Sequence, residues 1–217
     1  MGAQVLLDIV GSVIIGGILL LTLQRFNTAN VANNYQYSGE MVVQKNLVEV
    51  VKQIEYDFRK IGYNSDYTHP IVRSTAIIKA DTSTIWFLTD LTTSTTNYGD
   101  GVIDTIKYSL GSTSELTSTP NPYDRYLYRQ VNNSARKTAN LGVTQFKLTY
   151  YDANDNVMTS LPSTMPALGY GIMTIKIDVA VENPAAFHDI YGNADYSYQN
   201  RALWRQIRLA LRNYVTR

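Results

Sequence analysis

The sequence contains no cysteine among its 217 residues and only two histidines. The absence of cysteine excludes disulfides, thiolate metal sites and cysteine nucleophiles. His69 and His188 lie far apart in polar stretches, which makes a multi-histidine metal site or a histidine-based triad hard to assemble. Gly-rich phosphate loops and nucleophilic serine motifs are also missing. We therefore expect a protein that is not an enzyme and binds no cofactor.

An excess of charge of either sign is lacking as well. The chain has 19 Lys and Arg against 18 Asp and Glu, for a formal net charge of +1. A nearly neutral protein has no global field that would attract nucleic acid, so no nucleic-acid partner is expected. The length allows one domain of ordinary size with one long appended element.

An apolar run from Val5 to Leu23 stands out near the N-terminus. Its length matches the ~20 residues that cross a hydrocarbon core. No basic residue precedes Arg25 and no Ala-x-Ala follows the run, so we predict a retained membrane helix rather than a cleaved signal. Arg25 alone weakly favours an external N-terminus. The polar, Tyr-rich remainder favours the opposite orientation, with the C-terminal part outside.

Five residues of this run are candidates for helix assembly. Asp8 is an acid within an apolar run, where a carboxylate is costly and usually paired. It either pairs with the α-amino group of a neighbouring subunit, which would set the stagger of a filament, or lies near the membrane interface and reaches water. Gly11, Ser12, Gly16 and Gly17 are small residues at about one-turn spacing, which permits close helix packing. Glycine is, however, common in membrane helices generally.

The next segment combines a polar connector with an amphipathic helix. Residues 27–39 are rich in Asn and have low helix propensity. From Glu40 to about Ile61, apolar residues recur at three- and four-residue steps, which predicts a helix that packs on a sheet and ends near Gly62. The stripe consists of Val43, Leu47, Val50, Ile54, Phe58 and Ile61. The acids on or beside the stripe are interpreted as a solvated face; they are Glu40, Glu49, Glu55 and Asp57.

Short β-type runs separated by turn residues follow Gly62. The predicted strands are Ala76–Ala80, Thr84–Thr89, Asp104–Leu110, Tyr126–Val131, Val143–Tyr151 and Ile172–Val181. The ending, ALWRQIRLALRNYVTR, alternates as a strand would, but its arginines also fit a helical stripe. We predict an α+β fold in which a long N-terminal helix, with an apolar half and an amphipathic half, packs on a mostly antiparallel sheet. The segments are 1–26, 27–62 and 63–217.

Two acidic clusters have the residue types of a calcium site. Asp152–Asn156 matches the first three ligand positions of a calcium loop, but Val157 stands where the loop needs Gly and no Glu follows at the twelfth position. A hairpin turn explains the segment better. The second cluster consists of Asp90, Asp100 and Asp104, and its spacing matches a calcium loop no better than the first. No metal site is predicted.

The order of segments resembles the type IV pilin superfamily, and specifically its larger minor pilins and the J-type pseudopilins of type II secretion. The similarity covers nearly the whole chain and includes LVEVVKQIEYDFRKIGYN, DRYLYRQVNN, LGVTQFKLTYYDANDN, IMTIKIDVAVENP and IRLALRN. The resemblance implies that Leu203–Asn213 is a strand. It also implies that N-terminal helices pack into a filament core, that the heads face outward, and that Asp8 neutralises a neighbour's amine.

The chain departs from the family at its start, because Met1 to Asp8 lacks the family's basic leader and its Phe-Thr-Leu-Ile-Glu-type stretch. Cleavage after Ala3 would place Asp8 at the fifth mature position, and cleavage after Gly2 at the sixth.

The resemblance predicts a structural subunit of an extracellular type IV pilus-like filament at the cell surface. It would derive from a single-pass precursor in the inner membrane, with copies of itself or sister pilins as partners. One alternative is a minor pilin or pseudopilin that primes pilus assembly or type II secretion. Another, of a different class, is a monomeric membrane-tethered binding module.

Overall fold

The fold combines one long helix with two antiparallel sheets. The computed structural model describes residues 2–92, 99–159, 171–184 and 202–214. The chain divides into two compact units, Met1–Met41 and Val42–Arg217, and the second is called the head below. Helix α1 covers Gly2–Arg59, and the strands are β1 (Ile77–Ala80), β2 (Thr84–Thr89), β3 (Asp104–Leu110), β4 (Leu127–Val131), β5 (Val143–Tyr151), β6 (Thr174–Val181) and β7 (Leu203–Ala210). The predicted α+β class is confirmed.

The strands form two sheets within the head. The first has the order β1-β2-β3-β4 and the second the order β5-β6-β7, and every pairing is antiparallel. Each described strand lies within or close to a run predicted from alternation, because side chains on successive strand residues point to opposite faces. In β6, for example, Ile175, Ile177 and Val179 are buried, whereas Lys176 and Asp178 between them are only half-buried.

The end of α1 packs into the core of the head, as the apolar stripe predicts. Five of the six stripe residues are buried, and Leu47 is partly buried against the same core. The ring of Phe58 lies 5.4 Å from that of Phe87 on β2 and 5.6 Å from that of Tyr108 on β3. Edge contacts of this kind add to the stability gained by removing three rings from water.

The polar stretch 27–39 is helical, where its composition predicted a connector. Helix formation is cooperative, and residues flanked by helix on both sides need no new nucleus. The hydroxyl of Thr28 donates to the carbonyl of Gln24, at 2.9 Å, so this polar side chain is satisfied within the helix. Low propensity amounts to a few tenths of a kcal/mol per residue and is overridden when both neighbouring segments are helical.

The C-terminal segment is a strand, but a shorter one than predicted. Strand β7 ends at Ala210, and Arg212–Tyr214 form a turn of 3₁₀-helix. The predicted extension to Asn213 is wrong, because the chain turns at Arg212 and the side chain of Asn213 binds the end of α1. Its amide donates to the carbonyl of Arg59 at the end of α1, at 3.0 Å, and to that of Ile61 just beyond it, at 3.1 Å. It therefore satisfies carbonyls that the ending helix leaves without partners.

Candidate assembly helix and its anchor in the head

The first half of α1 exposes its apolar side chains. Every large apolar residue from Val5 to Phe26 is between 49 and 75% exposed. This segment makes α1 long and apolar enough to span a membrane. A contiguous apolar surface of this size is stable only when lipid or other protein covers it.

The five predicted assembly residues all lie in this half of α1, but they do not share one face. At about 100° per residue, Asp8, Ser12 and Gly16 follow one another along a single side of the helix, with Gly11 at its margin. Gly17 lies about half a turn from Asp8. Asp8, Gly16 and Gly17 are exposed, and Gly11 is slightly less so.

The small residues leave space around this face. A Cβ added at Gly11 or Gly16 would meet nothing within 4 Å, and the same holds for Gly17 on the opposite side of the helix. The hydroxyl of Ser12 donates to the carbonyl of Ile9, at 2.8 Å, so its polar group is satisfied within the helix. These features suit close contact with another helix at these positions, because glycine has no side chain and the hydroxyl of Ser12 needs no outside partner.

A buried ionic cluster holds the other end of α1 to the sheet. The carboxylate of Asp57 is fully buried and receives hydrogen bonds from Gln53 on the same helix, from Arg129 on β4 and from the hydroxyl of Tyr108 on β3. The guanidinium of Arg129 binds it through two nitrogens, at 2.6 and 3.1 Å. Both oxygens of Asp57 are therefore used.

The electrostatics of this cluster favour a charged Arg129 and a neutral Tyr108. Burial, reinforced by the neighbouring carboxylate of Asp57, raises the pKa of Tyr108 well above its usual range. Burial opposes the charge of Arg129, but its hydrogen bonds and attraction to Asp57 outweigh burial and raise the pKa of the guanidinium. The cluster thus carries one ion pair and one phenol at neutral pH.

Interpreting Asp57 as part of a solvated face is wrong. The other acids of that group differ from it: Glu49 is exposed, and Glu40 and Glu55 are half-buried. The sequence did contain a signal, because Asp57 is three residues after Ile54 and seven after Val50, and so lies on the apolar stripe itself. A carboxylate in that position needs a buried partner, and the partner comes from a strand 72 residues away in the chain.

In the two acidic clusters with the residue types of a calcium site, the carboxylate oxygens of Asp90 and Asp152 accept hydrogen bonds from the protein itself. Asp90 is fully buried and accepts from the backbone and hydroxyl of Ser65 and from the backbone N–H groups of Asp100 and Gly101. Although burial disfavours its charge, these hydrogen bonds hold the pKa of Asp90 below its usual range. Asp152 closes a turn by accepting from the backbone of Asn154 and Asn156.

No protein-family model matches the chain, and no curated protein is significantly similar to it. The membership of the pilin superfamily that was predicted from segment order therefore stays a prediction.

Proposed function

We propose that the chain is a structural, pilin-like subunit that polymerises through its N-terminal helix into an extracellular filament of the type IV pilus kind. One observation carries the proposal. A single helix has an apolar half that is exposed from Val5 to Phe26 and a second half whose apolar stripe is buried in the head. The first half requires a cover, and equivalent helices of other copies supply one.

The arrangement of small and acidic residues on α1 supports this proposal over a simple membrane tether. A tether needs only apolar length, and neither an acid nor a glycine improves it. A helix bundle gains from both, because the glycines admit a neighbouring helix and Asp8 gains a cationic partner. The α-amino group of another copy is such a partner.

The test is cryo-electron microscopy of the sheared surface fraction of cells that produce the chain, with mass spectrometry of its N-terminus. The expected result is a helical polymer in which the chain repeats and the apolar half of α1 lies buried between copies. If the chain is found only as dispersed membrane protein, the proposal is wrong. If it occurs in low copy number within filaments of other subunits, it is a minor pilin rather than the bulk subunit.

A pair of Asp8 variants tests the role of the acid. Asp8→Leu is expected to lower the amount of filament about tenfold or more, while the level of the chain in the membrane fraction stays unchanged. Asp8→Glu keeps the charge and serves as the matched control, with filaments retained. Equal filament yield from Asp8→Leu and the unaltered chain would show that the carboxylate plays no part in assembly and would favour the tethered module.

A further inference from the structure

The outer face of the four-stranded sheet carries a row of aligned polar side chains. Strand β2 buries Ile85 and Phe87 on its inner side, which leaves Trp86 on the opposite side. Across the sheet, Trp86 pairs with Lys79 of β1 on one side and with Lys107 of β3 on the other. A tryptophan thus stands between two lysines on three adjacent strands.

The two lysine ammonium groups are held close to the indole. The Nζ of Lys79 lies 5.4 Å from the ring centroid of Trp86, and the Nζ of Lys107 lies 4.7 Å from it. Cation–π attraction of this kind is worth about 0.5–1 kcal/mol at an exposed site, which restricts otherwise flexible lysines. The indole therefore fixes two positive charges near each other on an open sheet face.

Neutral polar groups and a third cation extend this row. Gln130 of β4 pairs with Lys107, so the row crosses all four strands and spans about 14 Å. Tyr128 follows on the same face of β4, and the guanidinium of Arg136 lies 5.4 Å from its ring. The hydroxyl of Tyr128 donates to the carboxylate of Glu115, at 2.8 Å.

We infer that this row, called the Lys-Trp-Lys face, binds an acidic polysaccharide. Its cations are fixed points of charge, which suit isolated carboxylate or sulfate groups. The amide of Gln130 donates to the carbonyl of Ser134 and the phenol of Tyr128 to Glu115, each at 2.8 Å, so their oxygens are left to accept from sugar hydroxyls. The row favours an anionic occupant, because Lys79, Lys107 and Arg136 contribute three cations and the carboxylate of Glu115 already accepts from Tyr128.

A nucleic acid fits this face less well. Its affinity comes mainly from many phosphate contacts, and its bases stack on bare aromatic rings. The Lys-Trp-Lys face offers few cations, the net charge of the whole chain is only +1, and the indole already carries two ammonium groups. The inference is independent of filament assembly, since it concerns a surface within the head.

The test uses the intrinsic fluorescence of Trp86 in the full chain in detergent. The chain has two tryptophans, and the other, Trp204, is 70% exposed on β7, so Trp204→Phe leaves Trp86 as the reporter. Titration with oligomers of alginate, a polyuronate, is expected to change the emission to saturation. Neutral dextran oligomers of similar length are expected to have no effect.

Three charge-neutralising substitutions, made singly and with one pair combined, locate the site in this background. Lys79→Gln and Lys107→Gln are each expected to weaken alginate binding about threefold, and the double variant about tenfold. Lys147→Gln removes an exposed lysine from the other sheet and is expected to change binding less than twofold. Circular dichroism of each variant is expected to match that of the parent.

Four results would overturn the inference. They are no response to alginate, an equal response to dextran, tighter binding of a single-stranded DNA oligonucleotide than of alginate at the same salt concentration, and equal weakening by Lys147→Gln and Lys79→Gln.

Discussion

At the scale of single residues, Asp57 on α1 has a fully buried carboxylate that forms an ion pair with Arg129. Removing one partner of a buried ion pair leaves the other charged and without compensation, which typically costs about 3–5 kcal/mol. Asp57→Asn is therefore expected to lower the free energy of unfolding by about that amount. Urea denaturation of the full chain in detergent, followed by circular dichroism, measures the loss.

The matched control for Asp57 is Glu49→Gln on the same helix. Glu49 is exposed, so its neutralisation is expected to change the free energy of unfolding by less than about 0.5 kcal/mol. Similar losses from the two variants would show that the buried cluster does not anchor α1.

Asp90 makes the stability of the head depend on pH. Because its pKa in the folded protein is lowered, the carboxylate stabilises the fold at pH values above its unfolded pKa of about 4, and this contribution is lost as pH falls through the folded pKa. Asp90→Asn is expected to be less stable than the parent at pH 7, by about 1–3 kcal/mol, since four donors lose an anionic acceptor.

Unfolding by urea at pH 7 and pH 3 tests this dependence. The difference between the parent and Asp90→Asn is expected to shrink at pH 3, because the carboxyl of the unfolded parent, with a pKa of about 4, is then mostly protonated and the folded state gains less from its lowered pKa. A difference that stays constant between the two pH values would contradict the assigned role of the carboxylate.

At the scale of elements, the contact of α1 with the four-stranded sheet depends on Phe58. Its side chain is 1% exposed and touches the rings of Phe87 and Tyr108. Phe58→Ala is expected to destabilise the head by about 3–5 kcal/mol, through lost burial and the cavity that remains. Urea denaturation measures the loss: the midpoint is expected to fall, while the slope of the free energy of unfolding against urea concentration stays unchanged.

Val48→Ala provides the control for Phe58. Val48 lies on the same helix but is 45% exposed, so a small effect is expected. If Phe58→Ala lowered the free energy of unfolding by no more than Val48→Ala, the contact of Phe58 with the four-stranded sheet would not be what attaches the helix.

Elements were more predictable from the sequence than their partners. Strands such as β2 and β6 could be located because burial on one face enforces alternation, which is a local pattern. The division into two sheets, the partner of Asp57 and the donors to Asp90 depend on contacts between distant segments, which no local pattern contains. The helical state of residues 27–39 was missed because neighbouring helix outweighs weak local propensity.

The assembly helix was predicted only in part. Its position and its candidate residues follow from an apolar run with small residues and an acid, and the structure adds that Asp8, Ser12 and Gly16 share a side while Gly17 does not. Periodicity alone would have separated Gly17, since nine residues correspond to two and a half turns.

At the scale of the whole molecule, the two units differ in the solvent they require. Residues 5–26 expose their apolar side chains, whereas the head buries its own core. A chain that lacks residues 1–26 is therefore expected to stay dispersed without detergent and to keep the β-type circular dichroism of the parent. Size-exclusion chromatography in detergent-free buffer measures the first property.

The parent chain without detergent is the comparison for this truncation, and it is expected to elute as an aggregate. Aggregation of both chains to the same extent would show that the apolar half of α1 is not what demands a non-aqueous partner.

The bonds from Asn213 to the carbonyls of Arg59 and Ile61 join the last described residues to the end of the helix, more than 150 positions earlier. Strand β7, which supplies the buried Ile207 and Leu209, is the last of the described strands in chain order. Until β7 has left the ribosome, the nascent head lacks one edge of its second sheet and the hydrogen bonds that Asn213 gives to the end of α1. The contacts between distant segments that complete the head therefore form late in its synthesis.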